Sequence, residues 1–190
     1  MITDYGDSAV TSTFTLASTL FLLVYKQFHA ALAILLAFCF AAICISLSKF
    51  AIYTGYIVLP NKFEIYSPSG HSAMSLAVYG TFAAIISSSQ TGWRKIVPYL
   101  FFSSLIFLIS ISRVALANHT ISDVIIGAVI GGIVLFCIWF VFLKDKVIHF
   151  CRLRFTLIPF IVAVTIHGIR FPAESLIRRF SQYFHSYMLS

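Results

Sequence analysis

Long hydrophobic stretches, separated by short polar gaps, dominate the chain. An α-helix needs about 20 mostly apolar residues to cross the hydrocarbon core of a bilayer, and the first five stretches have suitable lengths. These stretches are Ala9–Tyr25, Ala30–Ser48, Ser72–Ser89, Ile96–Ser112 and Ile121–Leu143. The sixth, Phe155–Ile169, is shorter and contains Pro159 and His167. The pattern predicts an all-α fold, a polytopic membrane helix bundle with five to six transmembrane helices.

We interpret residues 1–170 as one transmembrane domain with its core at 49–143. The remaining residues, 171–190, combine Arg178 and Arg179 with aromatic side chains such as Phe180. This combination is typical of a basic amphipathic helix that lies on a membrane surface. A partly ordered tail is the alternative, and the residues favour the two equally.

The composition supports the membrane assignment: 60% of the residues are hydrophobic, 10% are charged, and the mean hydropathy is +0.97. A soluble domain has about a quarter charged residues, so this chain must place much of its surface in lipid. The net charge of +7 comes mostly from residues in the gaps between apolar stretches. We therefore assign the charge to membrane orientation and anionic lipid, and expect no nucleic-acid partner.

Five crossings would bring the ends of the second and fourth stretches, and the starts of the third and fifth, to one side of the bilayer, here called the near face. Before the sixth stretch, this face carries Lys49, Lys62 and Arg113. The opposite face carries more cations: Lys26, Arg94, Lys95, Lys144, Lys146, Arg152 and Arg154. Because cytoplasmic loops are enriched in Lys and Arg, the near face is predicted to be outside the cytoplasm, which in a bacterium means the periplasmic side of the inner membrane.

Ionisable residues gather at the near face, where they are costly and usually functional. Lys49 and Arg113 suit the negatively charged oxygens of a phosphate. Ser67 and Pro68 are predicted to begin a helix as N-cap and first residue, which leaves free backbone N–H groups at the residues that follow. A helix N-terminus of this kind binds anions, and a glycine, here Gly70, lets a phosphate approach closely.

His119 and Asp123 are four residues apart, so on one helix they face the same way. Asp123 can accept a hydrogen bond from one imidazole nitrogen and leave the other nitrogen as a nucleophile. His71 could then protonate a departing oxygen and later activate water. Each residue also has a structural interpretation: Asp123 can form a capping box with Thr120, and lysines and arginines can simply anchor helix ends at the interface.

These residues resemble the signature of the type-2 phosphatidic acid phosphatase (PAP2) family. Its second block is present as Pro68-Ser69-Gly70-His71, and its third block as Ser112-Arg113, His119 and Asp123 at the family's spacing. The first block departs from the pattern. Lys49 fits, but Tyr56 and Ile57 occupy the positions of an arginine and a proline, and Lys62 is the next basic residue in the loop.

The resemblance implies that His119 forms a phosphohistidine, that Asp123 orients it and that His71 is the acid. It also implies that Lys49, Ser69, Gly70 and Arg113 bind the phosphate, with Lys62 and Tyr56 as auxiliary candidates, and that no metal or other cofactor is required.

The implied substrate is a lipid phosphate or diphosphate of the isoprenyl diphosphate, phosphatidylglycerophosphate, phosphatidic acid or lipid A type. Two alternatives stay open from the residues: a lipid phosphotransferase, and a non-catalytic protein that binds or transports lipids on the same fold. The oligomeric state is also open.

Overall fold

The protein is an all-helical bundle in the computed structural model, which describes residues 1–57, 66–144, 146–169 and 171–188, with side chains described through residue 184. The α-helices are α1 (Ser8–Val24), α2 (Phe28–Tyr53), α3 (Gly70–Ser88), α4 (Ile96–Ala115), α5 (Ile121–Ile138), α6 (Arg152–Ile166) and α7 (Ala173–Met188). A π-helical turn, Trp139–Leu143, continues α5, and 3-10 turns cover Ile2–Gly6 and Gly92–Lys95. These ranges contain no strand, and the predicted all-α class is confirmed.

Helix α3 lies at the centre of the bundle, between α2, α4 and α5. Nearly every side chain from Ser72 to Ser87 is buried, including several serines and threonines. Because protein surrounds α3, it does not need the uniformly apolar surface of a lipid-facing helix. This burial explains why α3 is less hydrophobic than its neighbours.

Three helical segments are long and apolar enough to cross a membrane: Phe28–Tyr53, Gly92–Ala115 and Ile121–Leu143. Helix α1 is apolar but has only 17 residues, and α6 has 15 residues with Pro159 inside it. The three long segments support a membrane protein, whereas the count of five to six crossings stays a prediction.

The last two helices, α6 and α7, pack against the rest of the bundle. Helix α6 packs against α1, with the ring of Phe155 at 5.4 Å from Phe21 and 4.5 Å from Phe82 between centroids. Helix α7 packs on α2, where Phe50 contacts Phe180 and Phe184. The segment after residue 170 therefore forms a helix against the bundle, while its contact with a membrane surface stays a prediction.

Two helix ends differ from the positions that the sequence suggests. Helix α2 continues past Lys49 to Tyr53, and Lys49 is a buried residue within the helix rather than an anchor at its end. Helix α3 begins at Gly70 with Ser69 as N-cap, so the prediction of Ser67 as N-cap and Pro68 as first residue was wrong. The reason is non-local: Asp123 accepts hydrogen bonds from the backbone N–H groups of Ser67 and Ser69, which hold this segment out of the helix.

Gly127 and Gly131 allow α5 to lie directly against α3. A Cβ atom at Gly127 would collide with the carbonyl oxygen of Ser69, and one at Gly131 with the carbonyl oxygen of Ala73. Small residues at this spacing permit close approach of helix backbones. The two glycines thus pack within one chain, and Gly127 fixes the position of the segment that precedes α3.

Replacing Gly127 with alanine should destabilise the protein by about 1–3 kcal/mol, because backbone rather than a flexible side chain blocks the new methyl group. The matched control is Gly132→Ala on the same helix, where the nearest atom, Leu76 Cδ2, lies 3.6 Å from the new Cβ. The control should be neutral or slightly stabilising, since alanine favours a helix over glycine. Thermal unfolding in detergent compares the two variants, and equal midpoints would contradict the tight α3–α5 contact.

Candidate active site

Asp123 is the central residue of the candidate site, and its side chain is only 2% exposed. Thr120 caps α5: its Oγ1 accepts a hydrogen bond from Asp123 N at 3.2 Å, and Asp123 Oδ2 accepts one from Thr120 N at 3.3 Å. The same Oδ2 lies 3.4 Å from His119 Nδ1. The carboxylate therefore forms the capping box and also contacts His119, so the geometry is compatible with both interpretations.

The second carboxylate oxygen of Asp123 holds the segment that carries the Pro68–His71 motif. Oδ1 accepts hydrogen bonds from the backbone N–H groups of Tyr66 at 3.0 Å and Ser67 at 2.9 Å, and the Asp123 carbonyl accepts one from Ser69 N at 2.9 Å. A buried carboxylate needs such donors to offset its desolvation. One residue thus fixes the relative position of the two sequence motifs.

The N-terminus of α3 presents backbone donors next to these motifs. The first N–H groups of a helix have no acceptor within the helix, and in α3 these belong to Gly70 and His71. Ser69 does not add to them: its N–H donates to Asp123, and its buried Oγ accepts from Ser72 N at 3.4 Å. The donors that can reach an anion therefore start one residue later than the sequence suggests.

A cavity of about 150 Å³ lies beside the start of α3. Lys49, Gly70 and His71 line it, together with Asp7 and Glu174 from the two ends of the chain. Arg113 does not line this cavity; its Nη1 donates to Thr3 Oγ1 at 3.1 Å. The structure thus places three of the predicted site residues at one cavity, whereas Arg113 and His119 do not line it.

His119 is buried, with 5% of its side chain exposed. Burial lowers the pKa of its imidazole from the ordinary value of 6.5, the charges of Lys49 and Arg113 lower it further, and the hydrogen bond to Asp123 opposes them. All three lowering causes disfavour the imidazolium. His119 is therefore neutral at pH 7, the form in which the nitrogen facing away from Asp123 carries a free lone pair.

We expect an NMR titration in detergent to find His119 mostly neutral at pH 6.5 and protonated only at lower pH. Lys49→Gln should raise the pKa of His119, because it removes a neighbouring positive charge that disfavours protonation. Half-protonation of wild-type His119 at pH 6.5 or above, or an unchanged pKa in Lys49→Gln, would refute this electrostatic description.

Two auxiliary candidates are not part of this arrangement. The side chain of Tyr56 is 66% exposed just beyond α2 and does not line the cavity. Lys62 lies outside the described residues. Tyr56 stands at the sequence position of the first-block arginine, but its side chain does not reach the cavity where that arginine would contact a phosphate.

Asp7 is a site residue that the sequence motifs do not indicate. Its Oδ1 accepts hydrogen bonds from Ala9 N at 2.8 Å, as the N-cap of α1, and from Phe171 N at 3.2 Å. Its Oδ2 lies 3.9 Å from His71 Nε2. In the sequence, Asp7 is recognisable only as a helix cap before an apolar stretch, and nothing local connects it with His71.

Glu174 and Tyr53 are also additions to the predicted site. Glu174 Oε2 accepts a hydrogen bond from Lys49 Nζ at 2.8 Å, and Oε1 accepts one from the Tyr53 hydroxyl at 3.0 Å. The Tyr53 hydroxyl also lies 3.1 Å from Ser67 Oγ. Helix α7 thereby places the Glu174 carboxylate against Lys49, the cation of the incomplete first block.

Comparison with known proteins agrees with these motifs. The family model of the PAP2 superfamily matches residues 50–148, more than half of the chain, and this range contains both complete motifs. No curated protein and no solved structure gives a significant match. Members of this superfamily are generally phosphatases, and they often act on lipids. On the extent of this match and the motifs within it, the chain belongs to the PAP2 superfamily.

Proposed function

We propose that this protein is a metal-independent membrane phosphatase that hydrolyses a phosphomonoester or diphosphate of a lipid through a phosphohistidine on His119. One observation carries the proposal: the buried carboxylate of Asp123 faces His119 and also binds the backbone of the segment leading to His71. This arrangement positions a nucleophile and an acid relative to each other, which a helix cap alone does not require.

In the first step, the Nε2 lone pair of His119 attacks phosphorus, so that an N–P bond forms and the bond to the leaving oxygen breaks. Asp123 accepts the Nδ1–H hydrogen bond and stabilises the positive charge that develops on the imidazole. His71 gives its proton to the leaving oxygen. Burial and the charges of Arg113, His119 and Lys49 lower the pKa of His71 to about 3 in the free protein. The protonated form needed here depends on the negative charge of the bound phosphate, with Asp7 Oδ2 at 3.9 Å from His71 Nε2 as a second anion.

In the second step, the now neutral His71 takes a proton from water, whose oxygen attacks phosphorus. The N–P bond breaks, its electron pair returns to His119, and orthophosphate leaves. The same histidine thus acts as acid and then as base, as microscopic reversibility requires. Both steps use side chains of the chain itself, with no cofactor.

We assign the phosphate oxygens to the Lys49 ammonium and the N–H groups of Gly70 and His71, whose residues line the cavity, and to Arg113, which does not line it. Helix N-termini and these cations favour negative charge as it builds up on the phosphoryl group. The apolar helices suit a substrate whose tails stay in the bilayer. We place the site at the periplasmic side of a bacterial inner membrane, on the distribution of cations between the loops.

The test is phosphate release by the detergent-purified protein from isoprenyl diphosphate, phosphatidylglycerophosphate, phosphatidic acid and lipid A, with EDTA present. We expect release that survives chelation, with one lipid clearly preferred. Release that chelation abolishes would contradict the metal-independent mechanism. Transfer of the phosphoryl group to a second lipid without free phosphate would identify a phosphotransferase, and no turnover of any lipid would favour a binding protein.

A further inference from the structure

The cation of the first motif already has an anionic partner inside the protein. The Lys49 side chain is 5% exposed, and its ammonium donates to Glu174 Oε2 at 2.8 Å. Glu174 is 55% exposed and reaches Lys49 from α7, at a distance of 125 residues along the chain. Lys49, the proposed phosphate ligand, is thus the buried member of the pair, and Glu174 is the exposed one.

The carboxylate of Glu174 stays ionised in this position. Burial tends to raise its pKa, but the charge of Lys49 and the hydrogen bonds from Lys49 and Tyr53 outweigh burial, and the pKa lies below its ordinary value. A carboxylate and a phosphate both bind an ammonium through negatively charged oxygens. Since Glu174 and Lys49 line the same cavity as Gly70 and His71, a phosphate that binds Lys49 there meets Glu174.

The contact between Lys49 and Glu174 affects phosphate binding because it reduces the positive charge of the site. The PAP2 pattern has an arginine where this chain has Tyr56, so one phosphate-binding cation is absent from the first block. The charge of Lys49 is offset by Glu174. A phosphate group therefore encounters less positive charge than the motifs alone suggest.

We propose that Glu174 determines the phosphate affinity of this site, because its carboxylate competes with the substrate phosphate for Lys49. This inference rests on the proposed function for the identity of the anion. A lipid brings the binding energy of its tails and can displace the carboxylate, whereas free orthophosphate has only its charge and binds weakly. Remote binding energy is commonly used in this way at a reacting centre.

We expect helix α7 to remain in place when Glu174 is altered, because other contacts hold it on α2. Phe50 packs against Phe180 and Phe184 with ring centroids 6.0 and 5.5 Å apart, and the Arg178 guanidinium lies 5.6 Å from the Tyr53 ring centre. A change from carboxylate to amide at residue 174 therefore tests charge competition rather than the folding of α7.

The experiment measures the dissociation constant of inorganic phosphate for the full chain in detergent, by titration calorimetry. Glu174→Gln should bind phosphate roughly tenfold more tightly than the wild type, the scale of one charge-assisted hydrogen bond. Glu174→Asp, which withdraws the carboxylate by one methylene, should give a smaller gain in the same direction. Arg179→Gln, at an exposed residue on the same helix, changes the net charge of α7 by one unit in the opposite direction and should leave phosphate binding nearly unchanged. A loss of affinity as large as the gain in Glu174→Gln would show that the net charge of α7, rather than the contact with Lys49, sets the affinity.

The decisive comparison uses the Lys49→Gln background, in which Glu174→Gln should give no gain. Unchanged or weaker phosphate binding in both Glu174 variants would overturn the proposal, as would an equal gain without Lys49. Binding needs no turnover, so the test is separate from that of the phosphatase activity. A chain that hydrolyses no lipid but shows the Lys49-dependent gain would refute the proposed reaction and retain this inference.

Discussion

Replacing His119 with glutamine should abolish phosphate release from the preferred lipid, with a loss of roughly ten-thousandfold or more in kcat. The proposed reaction makes its covalent bond at this imidazole, and the glutamine amide is not a nucleophile that can replace it. The fold should survive, because the hydrogen bonds that Asp123 makes with Tyr66, Ser67 and Thr120 do not involve His119. Unfolding midpoints in detergent should therefore differ little between the variant and the wild type.

The matched control for this variant is His149→Gln, since His149 is an exposed histidine in the segment between α5 and α6. This control should keep wild-type turnover. A second readout follows the intermediate directly: brief incubation with a lipid labelled on phosphorus, followed by quenching in base, should leave acid-labile label on the wild type and none on His119→Gln. Substantial turnover by His119→Gln would exclude the phosphohistidine mechanism.

The helices and the central part of the site could be predicted because their signals are local. A helix of about 20 apolar residues is visible as a continuous stretch. His119 and Asp123 share one helix face at a fixed spacing. Once these helices are antiparallel neighbours, the topology alone brings Lys49 and His71 to the same end of the bundle as His119. The resemblance to the PAP2 motifs supplies the roles that we propose for these residues.

The remaining parts depend on contacts between distant positions in the chain. Asp7 approaches His71, and Glu174 approaches Lys49, only because the segments at the two ends fold back over the start of α3. Neither carboxylate belongs to a motif, and each is a plausible helix-terminus residue on local evidence. The start of α3 was predicted wrongly for a related reason: the hydrogen bonds from Ser67 and Ser69 to Asp123 override a local sequence that otherwise favours an earlier N-cap.

These non-local contacts also change the meaning of the incomplete first motif. On sequence alone, the absent arginine is compatible with weaker phosphate binding, an altered substrate or lower activity. In the structure, the remaining lysine is additionally paired with Glu174, and Arg113 is held by Thr3 of the N-terminal turn. The chain ends, which lie outside the matched range 50–148, thus provide the partners of both remaining cations.

The second large effect is expected at Asp123, where two substitutions separate folding from catalysis. Alanine leaves the N–H groups of Tyr66, Ser67 and Thr120 without their acceptor. The Ser67 bond is buried and the other two are partly buried. At roughly 1–3 kcal/mol for a buried group without a partner, Asp123→Ala should lower the unfolding free energy by at least about that amount and abolish activity.

Asparagine is the sharper variant, because its amide oxygen can still accept from Tyr66 and Ser67 in the position of Oδ1. Its amide nitrogen would then face His119 Nδ1 as a donor, which favours the tautomer whose Nε2 carries the proton and cannot attack phosphorus. We expect Asp123→Asn to remain folded, with a smaller loss of stability than Asp123→Ala because only the Thr120 N–H loses its acceptor, and to lose roughly a thousandfold or more in kcat. If Asp123 only caps α5 and holds the preceding segment, Asp123→Asn should keep both its fold and its activity. Comparing the loss of kcat with the loss of stability in Asp123→Asn therefore decides whether this carboxylate acts on the nucleophile or only on the fold.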